Sequence, residues 1–269
     1  MCGCHQGRAV SRRNFCRAVL GTATGLSIVP ASHATDYDAP VEPRIHLVDT
    51  PRDQRVVALT FDCCPGSFDT RIATVLTRDR IPATIFITWL WMHHNPDGLA
   101  ELLAHPDLFS IQNHGEMHIP PVLGDRTIFG IRAAGNLPTI RREVENCAHA
   151  IHATTGTMPR WYRAATGFYT PSVIPEIEAI GFAIGGYSLS ADLGASLPAS
   201  QVATRIANAR NGDVIVAHLN QPSRPSGLGV VGGLRALQRQ NATFVRLDQV
   251  TASPPWFGER LSPHQSNPV

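Results

Sequence analysis

Val56-Val57-Ala58-Leu59-Thr60-Phe61-Asp62-Cys63-Cys64-Pro65-Gly66 is the stretch around which the rest of the chain arranges itself. Its apolar, β-branched start reads as a strand buried on both faces, and it stops in an acid, two thiols and a Pro-Gly turn. An Asp at the tip of a buried strand stands where α/β folds put their chemistry, beyond the carboxyl ends of parallel strands. The plainer alternative is an Asp that caps the following helix.

Outward from this strand, similar runs recur at 83–88, 109–112, 160–163, 181–187, 213–218 and 242–247. Helical stretches lie between them, near 68–79, 96–104, 139–155, 171–180, 199–209 and 227–240. In the third of these, Ile140, Val144, Cys147 and Ile151 share one face and Gly156 ends the helix. Strands alternating with helices imply a parallel sheet with helical crossovers, in an α/β fold. An incomplete βα barrel and an open doubly wound sheet both fit that rhythm. Residues 35–55 read as an irregular lead-in, 119–138 as a Gly- and Pro-rich loop, and 251–269 as a loose polar tail.

With 269 residues, 43% hydrophobic and 16% charged, the chain is globular with enough apolar material for a sizeable core. A formal charge of +2 gives no footprint for nucleic acid. Ser11-Arg12-Arg13-Asn14-Phe15-Cys16, the mildly apolar 18–29 and Ser32-His33-Ala34 read as a twin-arginine signal peptide over 1–34. The apolar piece is too short to span a bilayer, so the mature protein is expected to be periplasmic or secreted, without a membrane span and monomeric. Cys2, Cys4 and Cys16 leave with that leader, while Cys63, Cys64 and Cys147 stay. An odd set in an oxidising compartment predicts one disulfide, from Cys147 to Cys63 or Cys64, or a thiol held as a ligand.

Polar groups recur just after strands: Asp62, His114 with His118, Arg163, Asp192 and His218. In a parallel βα fold these tips lie on one face and can share one pocket. His114 and His118, four apart, could grip one metal ion from a helical turn or be two loop histidines. His93-His94 read as loop residues. Arg163 could orient Asp62 through a charge-assisted bond, or sit on a rim. His218, after the apolar 214–217, could pass a proton or be a satisfied core histidine.

Taken in order, Thr60-Phe61-Asp62, His114-x-x-x-His118, Arg163-Ala-Ala-Thr-Gly and Val216-Ala217-His218 make residues 56–250 resemble the polysaccharide deacetylase family (nodulation-protein-B homology, carbohydrate esterase family 4). The resemblance implies a distorted (β/α) barrel of about seven parallel strands and metal-dependent removal of an N- or O-acetyl group from a glycan. By matching position, Asp62 would be the general base, His218 the general acid, Arg163 the partner of Asp62 and Asp192 the group orienting His218. His114 and His118 would bind a divalent metal, zinc being the expected one.

Two departures stand out. The family's usual second Asp is Cys63 here, so the third metal ligand would be Asp69 or water, Cys63 as a thiolate, or missing altogether. Ser190-Ala-Asp192-Leu-Gly also lacks the family's aspartate–tryptophan pair. Two rival readings follow. One is a non-catalytic sugar-binding relative using Trp89, Trp91, Trp161, Tyr162 and Tyr169; the other is a deacylase of small amides.

Overall fold

A computed structural model describes residues 39–257; the leader over 1–34 lies outside them, as does 258–269. Eight strands form its main sheet: β1 (Val56–Cys63), β2 (Ala83–Ile87), β3 (Phe109–Asn113), β4 (Trp161–Tyr162), β5 (Ala183–Ile184), β6 (Leu189–Ser190), β7 (Val214–His218) and β8 (Thr243–Val245). Neighbours run β5-β4-β3-β2-β1-β7-β6, with β8 paired to the start of β1, and every pairing is parallel. Closed into a ring, that order would set β5 beside β6. The chain therefore winds around a distorted (β/α) barrel in sequence order, opened at the β5–β6 seam.

The expected helices are present: α1 (Thr70–Arg78), α3 (Pro96–Leu103), α4 (Leu137–Thr155), α5 (Ile174–Ala179), α6 (Ala199–Ala207) and α7 (Ser226–Arg239). One more, α2 (Trp89–His94), was not expected, and it contains His93 and His94. Its start is set by Thr88, whose hydroxyl accepts from the Trp91 N–H at 3.0 Å. Asn95 closes it, and Pro96 at the first turn opens α3. The strand read over 181–187 is cut back to β5, and β6 follows beyond it as a strand that was not expected. The cause is local: the Gly185 and Gly186 carbonyls accept from the Arg163 guanidinium, which takes them out of the ladder.

Strand alternation divides β1 cleanly. Val57, Leu59, Phe61 and Cys63 belong to the large core that also takes in Ile72 and Leu76 of α1 and Val230 and Leu234 of α7. Val56 and Ala58 face the barrel interior, where they join Phe86, Val214 and Val216. That interior is plugged by the lead-in: Ile45 and Leu47 belong to the same cluster, and Ile45 is fully buried. The lead-in is irregular as expected, yet Pro43–Arg44 pairs antiparallel with Trp256–Phe257, and the Ser253 N–H donates to the His46 carbonyl. The tail is thus pinned as far as Phe257 rather than loose. Among the described residues no helix is long and apolar enough to cross a membrane.

Candidate active site

Asp62, near the end of β1, and His218, the last residue of β7, are register partners on neighbouring strands. Parallel pairing thus brings together two residues 156 positions apart in sequence. Arg163, one residue past β4, reaches across the interior. Its Nη1 donates to Asp62 Oδ1 at 2.8 Å and to Thr60 Oγ1 at 2.9 Å, and its Nε donates to the Gly185 carbonyl at 2.6 Å. The guanidinium also lies over the Phe86 ring, 4.1 Å from its centroid. Burial alone would raise the Asp62 pKa, but the Arg163, His114 and His218 charges outweigh it and hold the carboxyl below its usual range.

Asp192 is fully buried behind His218. One carboxylate oxygen accepts from the His218 backbone N–H at 2.8 Å, and the other lies 2.8 Å from His218 Nδ1. Burial would depress the imidazole pKa, but the adjacent Asp192 carboxylate reverses this and lifts it well above the usual value. The expected pairings Arg163–Asp62 and Asp192–His218 are both present.

His114 and His118 follow β3 in a loop rather than on a helix. Positive φ at Gly115 (91°) and at His118 (63°) reverses the chain and brings the two rings to 5.1 Å between centroids. The loop is held by Glu143 of α4, a buried carboxylate that accepts from the Met117 N–H at 3.0 Å and the Ile119 N–H at 2.9 Å. Burial pushes the Glu143 pKa up, against those two bonds. Sequence reading missed Glu143, although its place beside Val144 on the inward side of α4 marks it as an acid turned toward the core.

The expected third ligands are not where they were sought. Cys63 is fully buried in the helix-facing core, and burial, followed by the nearby Cys64 and Asp62, pushes its thiol well up. Asp69 caps α1 and is gripped by Arg71, whose Nε and Nη2 lie 2.8 and 2.6 Å from its two oxygens. Cys64 stands with the histidines instead: its Sγ is 3.4 Å from His114 Nε2, and the ligand atoms of Cys64, His114 and His118 all lie within 4.8 Å of one another. The signal was in the sequence, since residues 62 and 64 share a strand face and 63 takes the other. Asn220 fixes this turn by donating to the Cys64 and Pro65 carbonyls at 2.9 and 3.2 Å. The expected disulfide is absent: Cys63, Cys64 and Cys147 are free thiols, with Cys147 bonded to the Ile87 carbonyl.

This trio suits a divalent ion. His114 Nδ1 is 2.9 Å from the Arg163 carbonyl, an acceptor that holds a proton on Nδ1 and leaves Nε2 as the atom turned toward the Cys64 thiol and the trio. His118 Nε2 is buried without a hydrogen-bond partner, as a ligand atom awaiting a metal would be. Burial would raise the Cys64 pKa, but the two imidazoles bring it well below its ordinary value, toward the thiolate that binds metal. Two imidazoles and a thiolate form a zinc-type donor set.

These groups line one cleft of about 960 Å³, whose wall includes Phe129, Phe168, Tyr187, Leu193, Arg205 and Arg224. The aromatics expected at the pocket are elsewhere. Trp91, Tyr162 and Tyr169 are core side chains, and neither Trp89 nor Trp161 borders the cleft.

A family model described as polysaccharide deacetylase matches residues 49–185. No curated protein matches the chain. Among solved structures, a carbohydrate esterase family 4 pseudoenzyme from Bacillus anthracis is similar at 16% identity and a TM-score of 0.58, over 74% of this chain and 66% of that one. The peptidoglycan N-acetylglucosamine deacetylase Bc1960 is similar at 20% identity and a TM-score of 0.61, over 74% of this chain and 89% of that one. A family 4 acetyl xylan esterase from Clostridium thermocellum, in complex with a cobalt ion, gives 22% identity and a TM-score of 0.57, over 72% and 89%.

Proposed function

The chain belongs to the polysaccharide deacetylase family, and from that premise we propose that it is an exported, metal-dependent hydrolase that removes acetyl groups from nitrogen or oxygen of a carbohydrate. The observation that carries this reading is the convergence of Asp62, paired with Arg163, and His218, paired with Asp192, on the cleft that the Cys64–His114–His118 trio also lines. Held by Cys64 Sγ, His114 Nε2 and His118 Nε2, a zinc ion would supply Lewis acidity toward an acetyl carbonyl and acidify a water beside it.

Asp62 is the base. One of its oxygens is tied to Arg163, and the other lies 4.0 Å from His114 Nε2, turned toward the trio. Arg163 keeps the carboxylate ionised, so it takes a proton from the water as that water adds to the carbonyl carbon. His218 is the acid. Asp192 occupies Nδ1, which leaves Nε2 to give its proton to the departing sugar nitrogen or oxygen as the bond to the acetyl carbon breaks. Acetate and the deacetylated sugar leave.

The volume of the cleft, about 960 Å³, favours an oligosaccharide over a small amide. A thiolate in place of the family's metal-binding carboxylate supports a second reading, a sugar-binding relative without turnover. Retention of both the base and acid pairs weighs against it. Acetate release from acetylated oligosaccharides by the zinc-loaded protein tests the choice. Wild type releases acetate and Asp62→Asn does not, whereas equal rates in the two would sink the mechanism.

A further inference from the structure

The charged groups of the cleft do not balance. Glu42 is paired with Arg44, Asp62 with Arg163, and Asp192 behind them with His218. Arg205 and Arg224 also line the cleft, but among the described residues neither has an acidic partner. Each is tethered only to backbone. Arg205 Nε donates to the Ser190 carbonyl at 2.8 Å, and Arg224 Nη1 donates to the Gly194 carbonyl at 3.1 Å. Both tethers end on the 190–194 segment, which carries Asp192, the partner of the proposed acid His218. The two cations therefore gather on the side where the sugar would leave.

This wall is built. Arg205 is half-buried on α6, and its single bond through Nε leaves both Nη groups without a partner among the described residues. The loop bearing Arg224 is braced from below: Arg71, itself fixed by buried Asp69, donates through Nη2 to the Arg224 carbonyl at 3.0 Å. Asp69 and Arg71 thus build a cationic wall instead of a metal site. Exposed Phe129, on a hairpin of the loop over 119–138, adds an apolar face to the same cleft.

We infer that the cleft selects a carboxylate-bearing glycan, whose acid group is held by Arg205 and Arg224 beside the departing sugar. A guanidinium with two unengaged Nη groups meets a carboxylate through paired charge-assisted bonds, which a neutral sugar cannot return. The carboxylate could belong to a uronic acid or to a lactyl ether on an amino sugar. This inference rests on the deacetylase reading for its catalytic consequence, but not for binding.

The test compares three acetylated oligomers of equal length: an O-acetylated oligouronide, an oligomer containing N-acetylmuramic acid, and a neutral N-acetylglucosamine oligomer. For one of the acidic pair, kcat/KM should exceed that of the neutral oligomer at least about tenfold, and which one identifies the source of the carboxylate. In the Arg205→Gln/Arg224→Gln double variant that preference should collapse toward unity, while Arg205→Lys retains part of it. Melting curves of each variant exclude simple unfolding. Calorimetric titration of the same oligomers into wild type reads the preference without turnover. Acidic preference in binding with no acetate release would retain the cleft assignment and remove the deacetylase reading. Equal binding and turnover of acidic and neutral oligomers, or a double variant that keeps the preference, would overturn the inference and leave that reading standing.

Discussion

Arg163 is the side chain on which the most depends, because one buried guanidinium satisfies Asp62, Thr60 and two glycine carbonyls. Arg163→Ala should cost about 3–5 kcal/mol in chemical denaturation, since it leaves Asp62 buried and unpaired. The pH effect has a definite sign. A depressed Asp62 pKa contributes stability that is present above its unfolded value of 3.8 and is lost as pH falls through the folded value. Removing Arg163 raises that folded value, so both the stability loss and the acid limb of kcat/KM should move to higher pH. His218 behaves in the opposite way. Its raised pKa favours the protonated imidazole, and the stability it contributes is full below 6.5 and lost as pH rises through the folded value. Asp192→Asn should therefore shift the alkaline limb of kcat/KM to lower pH; an unmoved limb would remove Asp192 from its positioning role. The thiols divide just as sharply. In metal-free protein, iodoacetamide should modify Cys64 under native conditions and reach Cys63 and Cys147 only on unfolding, because burial pushes Cys147 up to about 12. Asp62, His114, His118, Arg163 and His218 were legible because each lies at or just beyond a strand end. The placing of Cys63 at the site failed because motif position was read without the two-residue alternation of the strand.

Among elements, long strands and amphipathic helices were readable from periodicity alone, whereas short ones were not. Val56–Cys63, Val214–His218 and Leu137–Thr155 carry enough apolar repeats to declare themselves. Leu189–Ser190 pairs only two residues, too few for any pattern, and its position depends on Arg163 drawing the preceding glycines away. Trp89–His94 is a single capped turn and a half, whose aromatic run resembles strand as much as helix. The loop over 114–118 is likewise a tertiary product: Gly115 stands where a side chain would meet Glu143 Oε1 at 2.5 Å, at a φ of 91° that suits glycine. Loosening the loop is expected to cost metal before it costs fold. Glu143→Gln weakens the acceptor for the Met117 and Ile119 N–H groups, and should lower zinc affinity about 10–100-fold by competition with a chelating dye. The α6–α7 seam is a separate matter of packing. A methyl group at Gly233 would come within 2.5 Å of Ile206 Cβ, so Gly233→Ala should lower stability by about 1–3 kcal/mol without touching the cleft.

For the molecule as a whole, sequence rhythm established a parallel βα architecture but could not choose between a curled barrel and an open sheet, because both alternate alike. The choice is made by long-range events: β7 and β8 return to β1, and Ile45 and Leu47 of the lead-in fill the barrel interior. An irregular segment has no period to read, so a plug of this kind is visible only when the core is assembled. One barrel mouth is thus filled by the chain's own lead-in, and the strand ends at the other carry the polar groups. At their centre lies the claim on which the catalytic account turns, that Cys64, His114 and His118 together hold one divalent ion. Elemental mass spectrometry of zinc-reconstituted protein tests it most directly, with Cys64→Ala, Cys63→Ala and Asp69→Asn measured beside wild type. The account predicts about one equivalent of zinc in wild type, Cys63→Ala and Asp69→Asn, and its loss in Cys64→Ala. Zinc retained in Cys64→Ala, or no zinc bound by the folded wild-type protein, would contradict it.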